Sequence, residues 1–272
     1  MSLLTATEMP IAQYHASAPA WLSKTSLRDY IEHGPAWWKL TYLDKAIDKK
    51  RPEGAVQGAA LDCYLTEGPE AFAAGWAIRP YGMDGRTKAG KEWLEANDGK
   101  EVLSYADSLI LPDAVAAVRS HPRWSEIQAC AAQMTCRRQS AGLGLGLQSR
   151  PDWLNTGNGC LFDLKKTCDL DGFGRQAINL GYHLQAAIAG WCLVGDGIQL
   201  EHAYLVAVEW ERGARCRVYE IPHYALEAGD RLMRSAAAEI ARRIQANDWT
   251  DRQEVVGELE VPEWMQRKME AA

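Results

Sequence analysis

A run of alternating residues near the middle of the chain places the tightest constraint on how the chain can fold. Leucine occupies every second position of 143–147, which is the period of two expected of a strand. A turn-forming run follows at 155–159, and an apolar-rich run covers 160–167. The sequence therefore predicts an antiparallel hairpin whose first strand ends at Asp152.

Patterns typical of helices lie on both sides of this hairpin. One helix is expected to start at Ser26 or Thr25 and a second at Pro35. Further helices are expected over about 56–65, 87–96, 104–120 (broken or restarted at Pro112), 172–192 and 224–245. Two more strands are expected at 203–210 and 215–221. This order predicts an α/β or α+β fold in which helices flank a central mixed sheet and the N-terminal part is helical. We expect one domain over 1–272, with 1–20 as a candidate extended arm and 248–272 as an irregular tail.

Three charged residues of the hairpin form a candidate catalytic centre. Asp163 and Lys165 are two positions apart in the second strand, so their side chains leave the same face, and Asp152 lies beside them across the turn. Two carboxylates with water in the remaining positions suit Mg²⁺ or Mn²⁺, and such an ion can activate water and stabilise a phosphoryl displacement. A structural ion cluster would have the same residues, but the hairpin setting and the helix that follows it favour a metal centre.

The net charge of −6 and the pI near 5.6 count mildly against a partner as acidic as DNA. The objection is weak, because a metal site concentrates carboxylates while basic residues can cluster elsewhere. One such cluster is Arg86, Lys88 and Lys91. No run approaches the roughly 18 apolar residues of a membrane helix, and Glu8 and Pro10 interrupt any signal-peptide pattern. We therefore expect a cytoplasmic protein without a membrane partner.

Cysteine and glycine patterns argue against two kinds of bound group. The seven cysteines are dispersed and include no CxxC pair, so they predict reduced thiols rather than disulfides or a zinc site. The glycines at 142, 144 and 146 lack the GxGxxG spacing, and no helix follows them. We therefore expect no nucleotide cofactor.

Five ordered motifs extend the pattern beyond the three charged residues. They are Gly58–Asp62, Asp84–Trp93, Ser149–Trp153, Phe162–Thr167 and Gly181–Ala187. Together they resemble the core of the PD-(D/E)XK nucleases, and more narrowly the nuclease domain of the RecE-type exonucleases (exonuclease VIII) of phages and prophages. The resemblance extends from about residue 22 to the C-terminus. It implies a restriction-endonuclease-like core.

The resemblance also implies a function. It is that of a Mg²⁺-dependent exonuclease, with Mn²⁺ as a substitute ion, that degrades one strand of linear duplex DNA from 5′ to 3′. The 3′ overhang would serve a partner single-strand annealing protein, in the cytoplasm of a bacterial host. A ring-shaped homo-oligomer is the expected assembly. The alternatives are a DNA-end-binding module that has lost catalysis, and an endonuclease or single-strand nuclease with the same site.

The matching motif positions imply a role for each site residue. Asp152, Asp163 and the backbone carbonyl of Leu164 would hold the metal ion, with Asp62 as a further acidic ligand. Lys165 would activate or position the water. The supporting residues of the site are Gln185 and Tyr182, and the candidate DNA contacts are Arg150, Arg86, Lys88, Lys91 and Trp153.

The chain departs from the family pattern at three places. Asp62 stands where the family usually has His, and Gln133 stands where it often has Glu. Ala189 replaces a family Tyr, and Tyr182, one helical turn before Gln185, is expected to fill the space. Some relatives hold an iron–sulfur cluster through cysteines near the C-terminus, but no cysteine follows position 216, so no cluster is expected.

Overall fold

A computed structural model describes residues 2–5, 9–16, 19–52, 54–140, 142, 144–251 and 260–270. Position 143 of the alternating run, Glu8, and 252–259 within the expected tail lie outside the described residues. The helices are α1 (Ile11–His15), α2 (Lys24–Tyr42), α3 (Ala55–Thr66), α4 (Pro69–Gly75), α5 (Lys88–Ala96), α6 (Tyr105–Arg119), α7 (Trp124–Gln128), α8 (Phe173–Asn179), α9 (Tyr182–Val194), α10 (His223–Ala246) and α11 (Glu263–Glu270). The strands are β1 (Ser2–Thr5), β2 (Trp21–Leu22), β3 (Trp76–Ile78), β4 (Glu101–Leu103), β5 (Ala131–Ala132), β6 (Thr135–Ser140), β7 (Leu145–Ser149), β8 (Trp153–Asn155), β9 (Cys160–Thr167), β10 (His202–Glu209) and β11 (Cys216–Glu220).

A five-stranded sheet in the order β11-β10-β9-β8-β5 forms the centre of the fold. Its middle strand, β9, runs parallel to β10 and antiparallel to β8, so the sheet is mixed. A four-stranded sheet in the order β1-β6-β7-β2 and a pair formed by β3 and β4 complete the strands described. The mixed α/β fold expected from the order of patterns is confirmed.

Successive residues of β9 pack into different cores, as the period of two requires. Leu161 belongs to a buried cluster formed with residues of α2, α9 and α10. Phe162 and Leu164 belong to a second cluster, formed with residues of α3 and α6. Because both faces of β9 are covered, polar side chains on this strand are buried.

The structure corrects the predicted hairpin. The alternating leucine run forms β7, which pairs with β6 and β2 in the four-stranded sheet rather than with β9. Gly146 sits under the ring of Trp21, where any side chain would overlap the indole. The hairpin partner of β9 is β8, which starts only after Asp152. Pro151 separates β7 from β8, since it lacks the N–H that a continuing ladder would need.

Several helix boundaries also differ from those expected. Ser23, not Ser26 or Thr25, caps α2, and Ser26 completes a capping box as its third residue. The start of a second helical segment at Pro35 is as expected, because Gly34, with a φ of 81° and a ψ of 174°, is non-helical and divides α2 there. α6 passes through Pro112 without a break. The helix expected over 172–192 is divided by Gly181, whose φ of 69° is unfavourable in a right-handed helix.

The two ends of the chain carry more regular structure than expected. Within the expected arm, β1 pairs with β6, and α1 follows it. Within the expected irregular tail, α11 is helical. Of the helices in the described ranges, none combines the length and apolar character needed to cross a membrane.

Candidate active site

The candidate site lies where the central sheet has a gap. β8 is only three residues long and pairs with 160–162, so no strand of the described residues lies beside the later residues of β9 on that edge. The N–H of Leu164 is therefore available, and it donates to Oδ2 of Asp152 at 2.5 Å. A short strand thus leaves room for a carboxylate next to the middle of β9.

Asp163 and Lys165 leave β9 on one face, as predicted. The Nε2 of Gln185, on α9, donates to Oδ1 of Asp163 at 2.9 Å. Oδ2 of Asp163 forms an ion pair with the Lys165 ammonium and accepts no other hydrogen bond from the residues that the structure describes. Asp163 is only 3% exposed, so the pair is desolvated. The structure brings together Asp152, Asp163, Lys165 and Gln185 as the sequence predicted.

A third carboxylate approaches this gap from α3. The Nε2 of Gln133 donates to both oxygens of Asp62, at 2.9 and 3.0 Å. Asp62, Gln133, Arg150 and Asp152 line one cleft of about 250 Å³. Gln185 lines the same cleft, so its hydrogen bond to Asp163 lies at the wall of the cleft.

The carboxylates of the site perturb one another. Burial, reinforced by the charges of Asp62 and Asp163, raises the pKa of Asp152 well above its usual value. Burial also raises the pKa of Asp62 to about 7, with the charge of Asp163 adding to the effect. Burial alone would lower the pKa of Lys165, but Asp163 and Asp152 outweigh it and raise that pKa. Lys165 is therefore an ammonium ion at neutral pH in the metal-free protein.

Lys24 is a cation of the site that the sequence reasoning missed. Its ammonium lies 5.3 Å from the ring centroid of Tyr182, and the Lys165 ammonium lies 4.8 Å from the same ring. Burial, and then the charge of Lys165, lower the pKa of Lys24 to about 8. A single Lys after the capping Ser23 carries no distinctive signal, because only the tertiary fold brings the start of α2 to this cleft.

A small cavity lies beside Asp163, against α9. Tyr182, Gln185 and Ala189 line a cavity of about 10 Å³ beside Asp163, which is close to the volume that one water requires. Burial raises the pKa of the Tyr182 hydroxyl, so it stays protonated. The replacement of the family Tyr by Tyr182 stays a prediction.

The residues present suit a hard divalent cation. The candidate donors are oxygens alone: Asp152, Asp163 and the carbonyl of Leu164, which faces the same side as its N–H and hence Asp152. Burial, followed by the charges of neighbouring carboxylates, raises the pKa values of Asp62 and Asp152, and a bound cation would oppose that rise. Within the described ranges no three or more His, Cys, Asp or Glu side chains are placed so that together they could hold a metal ion. Two carboxylates, one carbonyl and water would therefore be the ligands of such an ion, with Asp62 beside them.

Three of the five expected DNA contacts lie away from the cleft. Arg86, Lys88 and Lys91 are exposed on the loop before α5 and on α5 itself, outside the lining of the cleft. Arg86 pairs with Asp84 at 2.8 Å, and Lys88 lies 3.8 Å from Glu92.

The remaining two contacts are engaged within the protein. Arg150 is at the cleft, but its Nε and Nη1 donate to protein oxygens. Trp153 is a correction: it is 3% exposed and packs edge-on against Trp124 in the core. A ring covered in this way has no free face on which a base could stack.

Comparisons with known proteins support the fold. The structure is similar to the crystal structure of a protein from Eubacterium rectale that carries the provisional name of exonuclease. The two share 13% sequence identity with a TM-score of 0.63, over 97% of this chain and 98% of the other. The chain matches no protein-family model, and no curated protein matches it. At this identity the likeness shows that the chain has the α+β fold of that protein.

Proposed function

We propose that the protein is a metal-dependent DNA exonuclease acting on the ends of linear duplex DNA. The observation that supports this best is the meeting of three carboxylates, Asp62, Asp152 and Asp163, with the ammonium of Lys165 at one gap in the sheet. The fold shared with the protein from Eubacterium rectale makes nuclease chemistry plausible. The finer parts of the proposal rest on the family resemblance. They are 5′ to 3′ polarity, a 3′ overhang for an annealing protein, a ring of copies, and action in the cytoplasm of a bacterial host.

Each side chain of the site has a task in this proposal. Asp152 and Asp163 hold Mg²⁺, and Gln185 keeps Asp163 in place through its 2.9 Å hydrogen bond. A bound divalent ion would supply charge neutralisation for the phosphate and a more acidic water. Lys165, as an ammonium ion, orients the attacking water or stabilises the charge that develops on the phosphate oxygens. Lys24 adds positive charge to the wall where the phosphate would enter.

The size of the cleft supports a substrate with a free end. Its volume of about 250 Å³ is below the roughly 300–1,000 Å³ that is usual for a ligand site, and it is too small to enclose a duplex. Ile11 and Tyr14, from the N-terminal segment, form part of its lining. Such a cleft suits one nucleotide of a frayed strand better than an intact double helix.

The test uses linear duplexes labelled at the 5′ or the 3′ end, with single-stranded and covalently closed circular DNA alongside. We expect the protein to degrade linear duplex with Mg²⁺ or Mn²⁺ and to release the 5′ label early. In EDTA we expect no degradation. Lys165→Ala should lower the rate at least about 100-fold, because it removes a charge that acts in the transition state. Lys166→Ala, its neighbour on β9, is the matched control and should retain activity.

The other outcomes separate the rival functions. Tight end binding without cleavage by the wild type would favour an end-binding module. Cutting of closed circles would favour an endonuclease, and preference for single strands a single-strand nuclease. Equal inactivity of the wild type and Lys165→Ala with both metals would contradict nuclease function.

A further inference from the structure

A chain of hydrogen bonds leads from the N-terminal segment to Asp62. Nη1 of Arg150 donates to the carbonyl of Met9 at 2.7 Å. Nε of Arg150 donates to Oε1 of Gln133 at 2.9 Å. Nε2 of Gln133 donates to the two oxygens of Asp62 at 2.9 and 3.0 Å. The three side chains come from separate parts of the sequence and meet only at the cleft.

The donors and acceptors of these groups determine the direction of each hydrogen bond in the series. A guanidinium has donors only, so the Gln133 atom that faces Arg150 must be the oxygen. The amide nitrogen then faces Asp62, where it can donate to a carboxylate but cannot accept from one. Arg150 thereby selects the one orientation of Gln133 that suits an ionised Asp62.

The backbone holds Gln133 in this place. The φ of Gln133 is 54°, in the left-handed region that a non-glycine residue adopts only where the surrounding structure holds it there. Its N–H donates to the carbonyl of Asp152 at 2.9 Å, and its side chain is buried, the residue being 7% exposed. The same residue is thus bonded to two carboxylate-bearing residues of the site, one through its backbone and one through its side chain.

We propose that Gln133 and Arg150 are positioning residues that orient Asp62 toward the divalent-ion site, and that Arg150 acts through Gln133 rather than by binding phosphate. This rests on the proposed function, since it assumes that the cation binds beside Asp152 and Asp163. It also assigns a role to two residues that have no direct part in the reaction. Loss of either partner should weaken the binding of the ion even without DNA.

The experiment is a double-mutant cycle on the affinity for Mn²⁺ and Mg²⁺, measured by titration calorimetry on the DNA-free protein. Gln133→Met keeps the volume but removes the amide, and we expect it to weaken metal binding about 10- to 100-fold, as loss of an outer partner commonly does. In a background of Asp62→Asn, Gln133→Met should cause no further loss. Equal losses in both backgrounds, or unchanged affinity in Gln133→Met, would overturn the proposal.

Arg150→Met provides a second route, should the buried Gln133 variant fail to fold. It should weaken metal binding in the same direction, and again only while Asp62 is present. In EDTA, the salt dependence of its duplex binding should match that of the wild type. A slope smaller by about 0.9, the value for one phosphate that the protein no longer binds, would show that Arg150 binds phosphate and would overturn the assignment.

The two proposals can fail separately. A wild type that binds the ion with the expected coupling but cleaves no DNA would contradict the proposed nuclease function. The positioning role of Gln133 and Arg150 would still hold. A wild type that cleaves DNA, with additive losses of metal affinity in the double-mutant cycle, would contradict only the positioning role of Gln133 and Arg150. A wild type that binds neither Mg²⁺ nor Mn²⁺ would overturn both.

Discussion

Asp62 shows how a buried carboxylate depends on its surroundings. It shares the gap in the sheet with Asp163, whose negative charge, like that of Glu67, disfavours the ionisation of Asp62, while Lys165 and Gln133 favour it. In the metal-free protein burial is the largest of these effects, and it raises the pKa of Asp62 to about 7. A divalent cation would reverse this balance, because it favours the charged form of every carboxylate around it.

This shift predicts how the stability of the metal-free protein changes with pH. The unfolded chain releases the Asp62 proton near its ordinary pKa of about 3.9, whereas the folded protein keeps it until about pH 7. The free energy of unfolding should therefore fall as pH rises through this window, by about 2 to 4 kcal/mol from this residue. In Asp62→Asn the fall should be smaller, and the protein more stable than the wild type at pH 8.

Urea unfolding in EDTA at pH 5 and pH 8 measures this difference. Asp98→Asn, an exposed carboxylate on the loop after α5, is the control and should behave as the wild type does. Identical pH slopes in the wild type and Asp62→Asn would show that Asp62 ionises normally.

At the scale of elements, the turn between β8 and β9 sets where Asp163 lies. Gly159 has a φ of 62°, and a Cβ placed on it would overlap the carbonyl oxygen of Gln199. Its own carbonyl accepts from the N–H of Glu201 at 2.8 Å, which aligns the start of β9 with β10. Because β9 and β10 pair in parallel, this contact fixes the register in which Asp163 lies opposite Leu205.

Gly159→Ala should therefore destabilise the protein by more than about 2 kcal/mol, since a positive φ costs about 1 kcal/mol and the backbone overlap adds to it. The midpoint of urea unfolding measures the loss. Gly174→Ala, in α8, meets nothing within 4 Å and should be neutral or stabilising by up to about 1 kcal/mol. Similar midpoints for the two variants would mean that the turn relaxes without cost.

The whole molecule carries a net charge of −6, so the DNA binding that we propose would have to come from local groups of basic residues. The exposed group on and before α5, Arg86, Lys88 and Lys91, is the first candidate. Two of its members already have acidic neighbours, Asp84 and Glu92, which reduces the charge they offer to phosphate. Exposed pairs of this kind are weak and are readily exchanged for a phosphate.

Replacing these three residues together by Ala should weaken the binding of duplex ends and make it less sensitive to salt. The slope of log K against log salt should fall by about 1 to 3, at about 0.9 for each phosphate that the protein no longer binds. Fluorescence anisotropy in EDTA measures it. Arg231→Ala with Arg234→Ala, on α10, is the control pair and should leave the slope unchanged. An unchanged slope in the triple variant would show that α5 does not face DNA.

The sequence by itself determined the features that arise within about ten residues. The placing of Asp163 and Lys165 on one face and the strand over Cys160–Thr167 are local, and the structure has them as predicted. The turn expected at 155–159 lies at 156–159, because Asn155 belongs to β8. The mixed α/β class followed from the order of such local patterns.

Only the tertiary structure decided which strands pair and which side chains meet. β9 pairs with β8 rather than with the leucine run, because Gly146 packs under Trp21 and Pro151 divides the two strands. Asp62 and Gln133 are 71 positions apart, and their contact depends on how α3 packs against the sheet. Lys24 reaches the cleft, and Trp153 is withdrawn into the core, for the same reason. Contacts of this range are set by the packing of the whole core, which no local pattern encodes.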